Sequence, residues 1–73
     1  MKTFNQNEVH GGIFVSLTQN WDLGIANVGD TQRLVLQKGG EYIDLGEPTL
    51  RALGAMGYAA DALKAHAVDY PRT

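Results

Sequence analysis

The stretch Thr31-Gln32-Arg33-Leu34-Val35-Leu36-Gln37-Lys38-Gly39-Gly40-Glu41-Tyr42-Ile43-Asp44-Leu45 decides the fold. Leu34 and Leu36 alternate with Val35, and after the glycine pair Ile43 and Leu45 fall in phase. Period-two alternation marks a strand, because successive side chains of an extended chain point to opposite faces. A two-residue glycine loop between two such runs marks a hairpin, since the tight turns that suit strand twist need positive φ. The spacing predicts strands over Thr31–Gln37 and Glu41–Leu45.

Upstream, Ile13-Phe14-Val15-Ser16-Leu17-Thr18 alternates in the same way, and Gln19-Asn20 interrupts it. Trp21 to Asn27 alternates again, with Trp21, Leu23 and Ile25 in phase, before a turn at Gly29-Asp30. Residues 1–12 are polar and asparagine-rich and end in Gly11-Gly12, which reads as a flexible arm. Downstream, Gly46-Glu47-Pro48 ends the sheet, and proline suits a first helical turn, where its missing N–H needs no partner. Leu53, Met56, Ala60, Leu63 and Ala67 then share one stripe at about 100° per residue. Either one helix runs to about Val68, or it breaks at Gly57. Glycine favours the break because it accepts the left-handed geometry of a helix end. Residues 69–73 read as a frayed tail.

The expected fold is therefore α+β: a short antiparallel β-meander of three to four strands, followed by one broken helix or two short C-terminal helices. One compact domain spans residues 13–68. Its expected core is Ile13, Val15, Leu17, Leu23, Ile25, Leu34, Leu36, Ile43, Leu45, Leu50, Leu53, Met56 and Leu63.

With 73 residues the chain has room for one core only. It contains no cysteine, which removes disulfides and argues against a structural zinc site. The formal net charge is −2, and the basic residues Lys2, Arg33, Lys38, Arg51, Lys64 and Arg72 are scattered, so strong nucleic-acid binding is not expected. No stretch has the length and apolarity of a signal peptide or membrane span, and a bacterial cytoplasmic location is expected. His10 and His66 lie at opposite ends without metal-ligand spacing. The carboxylates are spread evenly, Ser16 is the one serine and sits inside a strand, and Gly39-Gly40 is not followed by a helix start and lysine. The sequence thus offers no catalytic, metal or cofactor-binding residues, and the expectation is a binding module rather than an enzyme.

The candidate contact residues are aromatic or amide-bearing. Phe4 is a lone apolar anchor among Asn5, Gln6 and Asn7, whose side chains can donate and accept hydrogen bonds, and Val9 is the arm's other sizeable apolar group. On this reading Phe4→Ala weakens partner binding more than tenfold and leaves the melting temperature almost unchanged. Phe14 and Tyr42 are out of phase with the main apolar sets of their strands, which implies burial on both sheet faces or an exposed sticky patch. Tyr58 lies opposite the helical stripe, and exposed tyrosines are enriched at interfaces. The partner-binding candidates are Phe4, Asn5, Asn7, Val9, Tyr42 and Tyr58. A self-associating structural or virion-assembly role, or inhibition of another host factor, is the alternative.

In length and in its start, Met1-Lys2-Thr3-Phe4-Asn5-Gln6-Asn7, the chain resembles small phage-encoded regulators of host RNA polymerase, of the kind carried by a Xanthomonas phage. The resemblance covers the whole chain. It implies binding to the β′ subunit of bacterial RNA polymerase, inhibition of transcription initiation through interference with the σ factor, and promotion of antitermination.

Overall fold

A computed structural model describes residues 2–67. Five antiparallel strands, β1 (Thr3–Asn5), β2 (Val9–Ser16), β3 (Asp22–Val28), β4 (Thr31–Lys38) and β5 (Glu41–Gly46), form one sheet in the order β1-β5-β4-β3-β2. They are followed by helix α1 (Leu50–Gly54) and a 3-10 helix over Gly57–His66. The fold is α+β. The four strands read from alternation are present, and the hairpin around Gly39-Gly40 pairs Lys38 with Glu41 and Leu36 with Ile43.

The fifth strand corrects the sequence reading. Within the stretch read as a flexible arm, Thr3–Asn5 pairs with Glu41–Ile43, a 3-10 turn covers Gln6–Glu8, and Val9 already belongs to β2. Phe4 supplies the reason: only 5% exposed, it buries an aromatic ring against β3 and β4 residues, which offsets the entropy of ordering a short polar strand. The tail expected over residues 69–73 lies outside the described residues.

The edges of the sheet, β1 and β2, are consecutive in the chain, so the sheet curls. Stepping across the ladders from Phe4 to Tyr42, Gln37, Asp22 and Ser16 returns to the same stretch of chain twelve residues further on. Such stagger belongs to strongly tilted, barrel-like sheets. Phe14 on β2 and Tyr42 on β5 would stand about 14 Å apart across a flat sheet. Their ring centroids are 6.0 Å apart across the concave face.

Both faces of the curled sheet are therefore buried. The convex face carries Leu23, Ile25 and Leu34, which pack with Leu53, Ala60, Leu63 and Ala67 from the helical segment. The concave face carries Phe4, Ala26 and Val35, with Val9, Phe14, Val28 and Tyr42 partly buried against them. Space there is short. A Cβ at Gly24 would lie 2.1 Å from the Phe14 ring, so only glycine lets that ring cross β3.

The expected core holds for Leu23, Ile25, Leu34, Leu53 and Leu63, and Val15, Leu17, Leu36, Leu45, Leu50 and Met56 pack partly buried against it. Two assignments change. Ile13 is 41% exposed, because it sits on an edge strand. Ile43 is only half-buried, because β5 lies beyond the strands β2 and β3 that the 3-10 helix covers.

Thr49 caps α1, its hydroxyl oxygen accepting from the Ala52 N–H at 3.0 Å. The helical path breaks where glycine permits it: Gly57 has φ +79. The second segment is a 3-10 helix rather than an α-helix. Residues three apart eclipse in that geometry, which stacks Ala60 and Leu63 toward the sheet and sets Asp61 and Lys64 in a 2.9 Å ion pair outside.

Candidate partner-binding surface

The six sequence-derived candidates separate into three groups. Phe4, Val9 and Tyr42 do come together, but within the concave-face cluster, where they hold the fold. Phe4 is buried, and the Lys2 ammonium lies 5.3 Å from its ring centroid. The structure thus corrects the reading of Phe4 as an anchor free to meet a partner. Asn5 is engaged locally: its Oδ1 accepts from the Asn7 N–H at 3.0 Å, and its own N–H donates to Glu8 Oε1 at 3.1 Å. This reciprocal capping box shapes the turn that carries the chain from β1 to β2. The Asn7 side chain is exposed, and Tyr58, at 95% exposure, presents nearly its whole ring to solvent at the start of the 3-10 helix.

The strongest polar contact also serves the fold. Arg33 on β4 grips Asp44 on β5 through two hydrogen bonds, Nε to Oδ1 at 3.1 Å and Nη2 to Oδ2 at 2.9 Å. The Asp44 side chain is 9% exposed, and its Oδ1 also accepts from the Gly46 N–H at 2.9 Å, where a bulge inserts Leu45 into β5. The Arg33 hydrogen bonds, aided by that backbone N–H and by the charges of Arg33 and Lys2, hold the Asp44 carboxyl below the ordinary carboxylate range despite its burial. The Asp44 hydrogen bond correspondingly raises the Arg33 pKa. A bidentate pair of this kind fixes strand geometry and leaves neither group free for proton transfer.

No group of three or more histidine, aspartate or glutamate side chains that could hold a metal ion occurs among the described residues, and they form no pocket. Nor is any of their helices long and apolar enough to cross a membrane. His10 on β2 and His66 at the end of the 3-10 helix are both exposed. Trp21, in phase with the core of β3, is half-buried, with the Lys38 ammonium 5.2 Å from its ring centroid.

Among the described residues the exposed large apolar side chains are Tyr58 and Ile13, and the outer edge of β2 adds unpaired backbone beside Ile13. Sequence reading missed the last two. The signal was present in Val9-His10-Gly11-Gly12-Ile13-Phe14-Val15-Ser16, a run with no Lys, Arg, Asp, Glu or Pro. Charged residues and proline are what proteins commonly place on an edge strand to block pairing. Searches against protein-family models, curated proteins and solved structures return no match to this chain.

Proposed function

We propose that this chain is a non-catalytic regulator that binds bacterial RNA polymerase through the β′ subunit, inhibits transcription initiation by interfering with the σ factor, and promotes antitermination. The observation that carries the protein-binding part is the division of labour among side chains. Arg33, Asp44, Asn5 and Glu8 are engaged with one another or with backbone, while Tyr58 and Ile13 stand exposed. Tyrosine is enriched at protein interfaces, and the exposed Tyr58 ring supports a contact role. The choice of polymerase rests on the resemblance of the chain's length and of Met1–Asn7.

Purified full-length protein is titrated into Xanthomonas core RNA polymerase, and σ-dependent initiation is then followed in a reconstituted assay. The expected outcome is a complex with core enzyme and a fall in initiation that excess σ relieves. Tyr58→Ala is expected to weaken the complex by tenfold or more while altering stability by less than about 0.5 kcal/mol, as for an exposed surface position. Absence of any complex with core enzyme refutes the reading.

A further inference from the structure

The two edges of the sheet are unequal. β1 is three residues long and lies between Lys2 and Glu8. β2 runs for eight residues without a formal charge. A register shift between Val9 and Gly12 disturbs its first half, but Gly12 to Ser16 pairs regularly with Ala26 to Asp22.

The direction of the free backbone groups follows from the turn. The Leu17 N–H donates to the Trp21 carbonyl at 3.0 Å, so these residues form a hydrogen-bonded pair in register with the ladder. Antiparallel pairs alternate between bonded and non-bonded. Val15 with Leu23 and Ile13 with Ile25 are then the bonded pairs. Gly12, Phe14 and Ser16 turn their N–H and C=O groups away from β3, where no strand among the described residues pairs with them. Ile13, 41% exposed, stands beside this row on the convex face.

We propose, resting on the polymerase-binding reading above, that this edge is the docking site and that the partner joins it as an added strand. The occupant is an extended, uncharged segment of the polymerase. It exchanges backbone hydrogen bonds with Gly12, Phe14 and Ser16 and lays an apolar side chain against Ile13. Backbone groups in a row call for an extended chain. The uncharged edge selects an uncharged segment, since a charge brought against it would lose water without gaining an opposite charge.

Two full-length variants test this. Ser16→Pro removes one outward N–H and leaves the bonds to β3 in place. Ile13→Lys puts a charge beside the edge at an already exposed position and serves if the proline variant fails to fold. With Xanthomonas core RNA polymerase as the probe, the wild type is expected to bind and both folded variants to bind at least tenfold more weakly. In the wild-type complex the Gly12, Phe14 and Ser16 amides are expected to exchange with deuterium more slowly than in the free protein. Unchanged affinity of the folded variants, or unchanged exchange at those three amides in a formed complex, overturns the docking edge and leaves the polymerase reading standing. No binding by the wild type overturns both. A concentration-dependent dimer seen by light scattering, and dispersed by the same substitutions, assigns the edge to a second copy of the chain and overturns the partner-strand proposal.

Discussion

One sheet buries its two faces by opposite means. On the convex side Leu23, Ile25 and Leu34 meet a separate layer, and large branched side chains fill the space between strand and helix. On the concave side the sheet meets itself. Its middle is lined by Gly24, Ala26 and Val35, while the bulk comes from Phe4, Phe14 and Tyr42 on β1, β2 and β5. Where another layer covers a sheet, side-chain volume sits at the centre. Where curvature closes it, volume moves to the outer strands and the centre must be small.

The sharpest way to break the convex side is Leu34→Ala. This fully buried side chain lies in the larger cluster, and its truncation is expected to cost about 2–5 kcal/mol, measured by urea unfolding. In a domain whose whole stability is on the order of 5 kcal/mol, that leaves a large unfolded fraction. On the concave side the matching change is Phe4→Ala. Its expected cost is about 3 kcal/mol, where a solvated arm would give almost none. A melting temperature unchanged by Phe4→Ala would remove β1 from the fold.

Gly24→Ala tests the space beneath the Phe14 ring. The added methyl group must displace that ring, at an expected cost of about 1–3 kcal/mol, and should separate Phe14 from Tyr42. In the Phe14→Ala background the same methyl group should cost much less, so a double-mutant cycle reads the contact directly. Additive costs would show that the ring does not lie there.

The smallest expected effect concerns pH. The folded-state pKa of Asp44 is depressed, chiefly by its hydrogen bonds from Arg33. Its contribution to stability is therefore fully present above the ordinary aspartate value, about 3.9. It is lost as pH falls through and below that range, when the unfolded state binds the proton first. Arg33 stays charged throughout. Thermal melts between about pH 6 and pH 2 should show a steeper acid loss for the wild type than for Asp44→Asn; equal slopes would contradict the coupling.

Much of this architecture is legible in local sequence. Alternation locates four strands, Gly39-Gly40 the hairpin and Gly57 the helical break, because each is a matter of neighbouring residues. The out-of-phase Phe14 and Tyr42 leave two readings open, burial on both faces or an exposed patch, and the structure shows the first. That the sheet itself covers the second is not written locally, since it depends on β1 finding β5 across the length of the domain. Thr3–Asn5 shows one apolar residue in an amide-rich run, too little to reveal alternation. The 3-10 character of Gly57–His66 is hidden for a related reason: Ala60, Leu63 and Ala67 fit the stripe of an α-helix equally well. The exposure of Tyr58 is legible from its place opposite the stripe. The burial of Phe4 is not legible locally, because it depends on the same distant pairing.

That pairing also orders events in time. Joining Thr3 to Ile43 closes a loop of forty residues, whereas the hairpins β2–β3, β3–β4 and β4–β5 each close within a short stretch of chain. Loop-closure entropy grows with length, so the hairpins gain their contacts first and β1, although synthesised before its partner β5, is the last of the five strands to settle. It waits for residues 41–43 to leave the ribosome, and until then the Phe4 side of the sheet is open. The same hierarchy run backwards makes β1 the part of the sheet that detaches first.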